Sequence, residues 1–294
     1  MNASASSSPP PALLLATDLG PRCDRALDRC VQLARQWHAP AVALTVVDPS
    51  QQPPLRPFDR QPQPSPLSVA ERRLRCDLAG SPVAMRVRVE QGDVADKVIA
   101  AAQAEGSGLV VTGVARHEAL SRIVLGSTVD ALARRLPVPL LVVRCRVRGP
   151  YLQVRVATDF SDAARHALEQ AARLFPQARF TVFHAFGNPY PVLAGMDAGE
   201  ARRAGHDAAQ REMLAWLAEA DLPQDTRDRI ELALAYGDAA HLLSQHGERC
   251  PEELIVMGTR GRGALATLLL GSTAQRALEM AEGDMLVVPP ARDA

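Results

Sequence analysis

The stretch LLLATDLG at residues 13–20 recurs as VRVATDFS at residues 154–161. Each copy is a short run rich in leucine and valine that ends in Ala-Thr-Asp, a pattern typical of a buried strand followed by a polar turn. An internal repeat indicates that a chain is built from copies of one structural unit, whatever its individual motifs are. The recurrence therefore predicts two copies of one domain.

Four further blocks recur in the same order along the chain. VEQGDVADKVIAA pairs with LAYGDAAHLLSQH, LVVTG with LIVMG, LGST with LGST, and LLVVR with MLVVP, always 145 residues apart. The first aspartates, Asp18 and Asp159, are only 141 residues apart. The two halves therefore differ in length in one middle region, which we expect to be a surface loop and a helix.

Within each half, short β-branched or leucine-rich runs alternate with stretches of helical periodicity, which predicts a parallel sheet with crossover helices. In the second half we predict strands at 153–158, 179–186, 228–235, 253–257 and 285–289, and helices at 161–174, 198–220, 238–248 and 272–281. The first half repeats this series. Its residues 51–68 (QQPPLRPFDRQPQPSPLS) are too rich in proline for a helix or a central strand, and a shortened helix is predicted at 69–79.

The fold class that follows is α/β, with two tandem, doubly wound, five-stranded parallel-sheet domains. We place the first domain at residues 11–145 and the second at 151–291. The segment RCRVRGP (144–150) is a basic connector between them, and residues 1–10, rich in Ser, Ala and Pro, are predicted to be a disordered tail.

The composition is that of an ordinary globular chain, with 47% apolar and 22% charged residues. Its 33 basic side chains balance 33 acidic ones, so no net field draws it to nucleic acid or to an anionic membrane. No apolar run approaches the roughly 18 residues of a membrane span, and MNASASSSPPP lacks the features of a signal peptide. We expect a cytoplasmic protein without nucleic-acid or membrane partners.

Metal and disulfide sites are not expected. The five cysteines are scattered, without a C-x-x-C pair, and are interpreted as reduced structural thiols. Four histidines of the second half also lack the spacing of metal ligands, namely His184, His206, His241 and His246. His184 lies within a predicted strand, where a hydrogen-bonded core histidine is the commoner case.

Ligands of open parallel sheets bind beyond the carboxyl ends of the strands. After the fourth strand of the second half, the chain reads Gly258-Thr-Arg-Gly261 and then, after nine intervening residues, Gly271-Ser272-Thr273 at the start of a helix. Glycines allow positive φ and close approach of a phosphate to backbone amides, while a helix N-terminus attracts anions. The spacing G-x2-G-x9-G-[ST] therefore predicts a phosphate cradle. It is not a Walker loop, because the only lysine of the chain is Lys97.

With this loop and the aspartate that ends the first strand, both halves resemble the universal stress protein domain, and nearly the whole chain resembles a tandem universal stress protein. The resemblance implies a Rossmann-like fold of the adenine nucleotide alpha hydrolase type, and ATP with Mg²⁺ or Mn²⁺ on its phosphates. It implies that Asp159 meets the adenosine and that the backbone of Ala185 faces the adenine. The implied nucleotide-binding residues are Asp159, Ala185, Met257, Gly258, Gly261, Gly271, Ser272 and Thr273.

The first half departs from this pattern at one position, where Arg116 replaces the second glycine of the loop. If that position needs positive φ, a side chain costs about 1–2 kcal/mol, which is roughly tenfold in affinity. Arg116 could also fill the pocket, or its guanidinium could hold a phosphate itself. A weaker nucleotide site is expected there, at Asp18, Val46, Gly113, Gly126, Ser127 and Thr128.

Several alternatives remain open at the level of sequence. Asp18 and Asp159 could simply cap the helices that follow them. The favoured function is ATP binding by a stress-response regulatory protein with an unknown protein partner and slow hydrolysis at most, because the motif positions no group to activate water. The rival is a scaffold, or a binder of another small ligand, in which LLVVR and MLVVP pair within the chain or support self-association. An ATP pyrophosphatase is disfavoured, since TDLG and TDFS replace the signature loop of such enzymes.

Overall fold

The computed structural model describes residues 11–21, 23–51, 64–114, 117–119, 122–124, 126–187, 198–261 and 270–291. The tail predicted at residues 1–10 lies outside the described residues. Contacts divide the chain into two compact units, one formed by residues up to 115 together with 126–150, the other by 116–125 together with 151–294. The described residues 117–119 and 122–124, which the sequence places in the first domain, group with the second unit.

The first unit contains a five-stranded parallel sheet. Its strands are β1 (Ala12–Ala16), β2 (Ala41–Val47), β3 (Met85–Gln91), β4 (Ser107–Gly113) and β7 (Leu140–Val143), and its α-helices are α1 (Asp24–Trp37), α2 (Pro66–Asp77), α3 (Val94–Ala104) and α4 (Ser127–Arg135). The strand order is β3-β2-β1-β4-β7. The order therefore reverses between β1 and β4, which is the switch point of a doubly wound sheet.

The second unit repeats this architecture. Its sheet strands are β8 (Gln153–Ala157), β9 (Arg179–Phe186), β10 (Ile230–Tyr236), β11 (Leu254–Gly258) and β12 (Met285–Val288), and its α-helices are α5 (Asp162–Leu174), α6 (Ala198–Ala218), α7 (Gln224–Arg227), α8 (Ala239–Arg249) and α9 (Ser272–Met280). The short hairpin β5 (His117–Ala119) and β6 (Arg122–Val124) also groups with this unit. The sheet order β10-β9-β8-β11-β12 reverses between β8 and β11.

The burial of the strands follows from their position in the sheet. The inner strands β4 and β11 carry LVV and LIVM, which are covered on both faces and read as continuous apolar runs. The outer strand β3 reads MRVRVEQ, alternates polar with apolar residues, and contains no buried residue. Arg88 on this strand contacts the carboxylates of Glu90 and Glu105 at 2.7 and 2.8 Å. Such charges discourage pairing of an outer strand with another chain.

The predicted doubly wound parallel sheet is confirmed in both halves, with three local differences. Helix α2 begins at Pro66, inside the segment judged too rich in proline, because Ser65 caps it by accepting a hydrogen bond from the N–H of Ser68 at 3.2 Å. Proline is well tolerated in the first helical turn, where its missing N–H has no partner to lose. The hairpin β5–β6 and the short helix α7 were not predicted, since neither contains enough residues to show a periodicity. No helix in the described ranges is long and apolar enough to span a membrane.

Candidate functional site

A cavity of about 580 Å³ opens at the carboxyl ends of β8, β9 and β11, beside the switch point of the second unit. This volume lies within the range of small-ligand pockets. The cavity is lined by all eight residues that the resemblance implied for this half: Asp159, Ala185, Met257, Gly258, Gly261, Gly271, Ser272 and Thr273. Residues far apart in the sequence therefore surround one space.

Asp159 sits in a tight turn between β8 and α5. Its Oδ1 accepts hydrogen bonds from the N–H of Ser161 at 3.1 Å and from the Oγ of Ser161 at 2.5 Å. Ser161, rather than Asp159, caps α5 by accepting from the N–H of Ala164 at 3.2 Å. The capping role considered for Asp159 therefore belongs to Ser161, and Asp159 supports the cap from the side of the cavity.

The residue after Asp159 has a backbone conformation that side chains rarely adopt. Phe160 has φ +63°, a left-handed conformation that is a genuine outlier for a bulky residue. Its ring is buried and stacks on the imidazole of His184, with centroids 4.1 Å apart. His184 in turn bonds through Nδ1 to the backbone oxygen of Thr158 at 2.7 Å, and the indole of Trp216 donates to the backbone oxygen of Ser161 at 3.1 Å. These contacts hold the strained turn, and His184 is the hydrogen-bonded histidine expected from its place in a strand.

Two of the loop glycines, Gly258 and Gly261, are required by close approach and not by backbone conformation. Gly258, Gly261 and Gly271 are absent from the residues with positive φ, so the expected conformational reason for these glycines was wrong. A Cβ on Gly261 would lie 2.5 Å from Oδ2 of Asp159, and a Cβ on Gly258 would lie 3.0 Å from the backbone oxygen of Ala163. The backbone at Gly261 thus fits closely against the Asp159 carboxylate.

The start of α9 closes the cavity. Gly271 donates its N–H to the backbone oxygen of Thr259 at 2.8 Å, and Thr259 donates to the oxygen of Val288 at 2.9 Å. These bonds fix the helix start against the end of β11. Gly271 is the N-cap and supplies no side-chain hydrogen bond to the first turn, which contains Ser272 and Thr273. A helix start without a side-chain cap keeps amide donors available for an anion.

The first unit has the same backbone arrangement at its own switch point. Asp18 accepts a hydrogen bond from the N–H of Gly20 at 2.8 Å, and Leu19 between them has φ +60°. The remaining residues of the weaker set are placed at corresponding strand ends and helix starts: Val46 near the end of β2, Gly113 at the end of β4, Gly126 as N-cap of α4, and Ser127 and Thr128 in its first turn. Arg116 lies outside the described residues, so the two roles considered for it stay predictions.

Further residues line the cavity of the second unit that the sequence did not single out for the site. They are Ala157, Thr158, Ala164, Phe183, His184, Ala239, Leu270 and Ala274. Arg260, which belongs to the loop motif, also lines the cavity. Most are apolar or small and follow the strand and helix periodicity of the core. Only their position in the sequence could have indicated that such residues line the cavity. Thr158 directly follows β8 and Ala239 begins α8, both at the same end of the sheet.

Comparisons with known proteins agree on one family. The sequence model described as the universal stress protein family matches residues 12–144 and again 150–289. A universal stress protein of Methanocaldococcus jannaschii is 26% identical over 147 residues, which are 47% of this chain and 82% of that protein.

Solved structures show the same fold over nearly the whole chain. A functionally unknown protein of Pseudomonas aeruginosa superimposes with a TM-score of 0.65 at 19% identity, covering 95% of this chain and 92% of that one. A universal stress protein of Archaeoglobus fulgidus superimposes with a TM-score of 0.60 at 17% identity, covering 97% and 98%. Both structures therefore share this fold over at least 92% of their own length.

Proposed function

This chain belongs to the universal stress protein family as a tandem, two-domain member, and on that premise we propose that it is a cytoplasmic, ATP-binding regulatory protein of the stress response. The nucleotide is held mainly by the second domain. The observation that carries the proposal is the cavity at the switch point, where a carboxylate, two close-fitting glycines and a helix start without a side-chain cap face one space.

The cavity matches the two chemically different ends of an adenine nucleotide. The Asp159 carboxylate and the backbone beside Ala185 offer acceptors and donors to the adenosine. The backbone at Gly261 and the amides of the first helical turn after Gly271, with the hydroxyls of Ser272 and Thr273, offer donors to the phosphates. Mg²⁺ or Mn²⁺ enters on the phosphates and supplies charge neutralisation there.

The energetics require these donors to act together. A micromolar complex corresponds to about 8 kcal/mol, whereas one helix-dipole interaction contributes about 0.3–1 kcal/mol. Arg260 lines the cavity as well and adds a cation to the helix start. The summed contribution of amides, hydroxyls and a cation is compatible with binding in the micromolar range.

Hydrolysis in this site is slow at most. The titratable groups that line the cavity include Asp159 and His184, and both are engaged by the turn after β8 through Ser161 and Thr158. A general base needs to reach the water that attacks the γ-phosphate. Side chains whose hydrogen bonds hold them within this turn are poorly suited to that role.

Calorimetric titration of the purified full chain with Mg²⁺–ATP tests the proposal. We expect saturable binding below millimolar concentration, with one strong site per chain and turnover of less than about one ATP per minute in a phosphate-release assay, far below typical enzymes. Absence of saturable binding up to millimolar ATP would reject nucleotide binding and favour the scaffold, or a different small ligand in the same cavity.

A further inference from the structure

A second group of potential ligands lies at the opposite end of β11 from the nucleotide cavity. His246 is in the last turn of α8, Cys250 is the C-terminal cap of that helix, and Glu253 directly precedes β11. Two backbone hydrogen bonds fold this short segment onto itself, from the N–H of Cys250 to the oxygen of His246 at 2.9 Å and from the N–H of Glu253 to the oxygen of Cys250 at 3.1 Å. The three side chains therefore come from one compact turn whose backbone is already fixed.

The three side chains converge. One ligand atom from each of His246, Cys250 and Glu253 lies within 4.8 Å of the other two, and Nε2 of His246 is in direct contact with Oε2 of Glu253. Bonds of about 2.0–2.3 Å at tetrahedral angles put ligand atoms about 3.3–3.8 Å apart.

We propose that His246, Cys250 and Glu253 form a binding site for Zn²⁺ or a similar borderline divalent ion. A thiolate, an imidazole and a carboxylate are the donors that zinc prefers, whereas Mg²⁺ and Ca²⁺ select oxygen ligands. Three protein ligands leave a fourth tetrahedral position for water or for a ligand from a partner. The histidine excluded as a ligand from its spacing in the sequence thus has suitable neighbours in the fold.

The surroundings position these ligands. Glu253 is only 8% exposed, and its other oxygen, Oε1, lies 3.4 Å from Nε of Arg155, so the carboxylate is oriented from behind by a cation. The guanidinium of Arg155 also lies over the ring of Phe183, 5.7 Å from its centroid. Oriented carboxylates of this kind are typical of metal sites, where outer contacts fix the ligands. Arg155 compensates Glu253 without the ion, and bound zinc would share that carboxylate.

The end of α8 is held in place by a close helix approach. A Cβ on Gly247 would lie 3.2 Å from the backbone nitrogen of Gly283, so glycine allows the helix end to pack against the chain before β12. Ser244 on the same helix donates its Oγ to the backbone oxygen of Met280 at 2.8 Å. These contacts fix the helix end that presents His246 and Cys250.

This site is separate from the proposed nucleotide cavity. Leu254, beside Glu253, and Gly258, at the cavity, are four positions apart along β11, a distance of roughly 13 Å at the rise of a strand. An ion bound here does not reach phosphates at the other end of the strand. Zinc binding and ATP binding can therefore be measured, and can fail, independently.

Cobalt(II) titration of the full chain, freed of metal by a chelator and kept reduced, tests the site. We expect one equivalent of Co²⁺ to bind, with a thiolate-to-metal charge-transfer band and the intense visible bands of tetrahedral cobalt, and one equivalent of Zn²⁺ to remove both. The variant Cys250→Ser should abolish the charge-transfer band. His246→Ala and Glu253→Gln should weaken Zn²⁺ binding by at least about tenfold, since even outer contacts of metal ligands contribute that much.

Two matched controls are available in the chain. Cys76→Ser removes an exposed thiol elsewhere, and His241→Ala removes an exposed histidine from the same helix α8; both should bind Co²⁺ as the unaltered protein does. Circular dichroism checks that each variant is folded. The proposal is overturned if the unaltered protein shows no charge-transfer band, or if the band persists in folded Cys250→Ser or disappears in Cys76→Ser.

Discussion

The substitution Gly261→Ala should weaken nucleotide binding by steric pressure on Asp159. The added Cβ would lie 2.5 Å from Oδ2 of Asp159, whereas real Cβ atoms essentially never come within 3.0 Å of another heavy atom. The loop and the carboxylate must therefore separate by at least about 0.5 Å. The carboxylate is not free to swing away, because its Oδ1 accepts from both the N–H and the Oγ of Ser161.

Overpacking of this kind typically costs about 1–3 kcal/mol, which corresponds to roughly 5- to 150-fold in Kd if the displacement disturbs the bound nucleotide. Titration calorimetry with Mg²⁺–ATP measures the loss. Gly271→Ala is the matched control for the effect of an added methyl group on folding. Its Cβ would lie 3.6 Å from its nearest neighbour, the backbone oxygen of Thr259, which is an ordinary van der Waals distance. We expect Gly271→Ala to change the free energy of unfolding by less than about 1 kcal/mol.

A double-mutant cycle separates steric pressure from a general defect of the loop. Asp159→Ala removes the atom that the new Cβ would contact, although it also removes a proposed ligand for the adenosine. In that background, Gly261→Ala should change Kd by less than about twofold, so the two substitutions should be strongly non-additive. Fully additive losses, or an unchanged Kd in the single variant Gly261→Ala, would refute the steric account.

Three further predictions concern stability and thiol chemistry. Arg276 donates a hydrogen bond to Asp238 and holds the pKa of that carboxyl below its usual range. Asp238→Asn should therefore lower the free energy of unfolding by up to about 1 kcal/mol at pH 7. Chemical denaturation should show that this difference between the two proteins fades as the pH falls below about 4, where the carboxyl becomes protonated. Burial raises the pKa of the Cys30 thiol to about 12, so at pH 8 a thiol reagent should label exposed Cys76 in the native protein and Cys30 only after unfolding; native labelling of both at equal rates would contradict the burial. The substitution Phe180→Ala removes a side chain that is fully buried on β9. It should lower the free energy of unfolding by about 3–5 kcal/mol, as measured by urea denaturation.

Much of the fold was predictable because the central strands obey one local rule. Runs such as LIVM before Gly258 are apolar on both faces, as expected for a parallel strand that is covered on both sides. The repeat supported the same interpretation a second time, since every block recurs in the same order in the other half. The start of α2 was misplaced because proline count outweighed the capping signal of Ser65, although proline in the first turn is compatible with a helix.

The positions of the proposed site residues were also foreseeable, but the reason for the glycines was not. A sequence shows that Gly261 lacks a side chain; it does not show what occupies the space where that side chain would be. The neighbour is Asp159, about a hundred positions earlier in the chain. Long-range contacts of this kind, like the convergence of Cys250 with Glu253, depend on how helix ends and strands meet, which local patterns do not encode.

A comparison of the two halves explains why the second nucleotide site is expected to be stronger than the first. Both keep the same unusual backbone after the first strand, with φ +60° at Leu19 and +63° at Phe160. Both also start the helix after the loop at a glycine with nearly the same conformation, φ −59° at Gly126 and −58° at Gly271. Divergence has therefore left the backbone frame of the site intact. Since the glycine equivalent to Arg116 is required for space and not for positive φ, an arginine there would alter what fits in the first site without unfolding it.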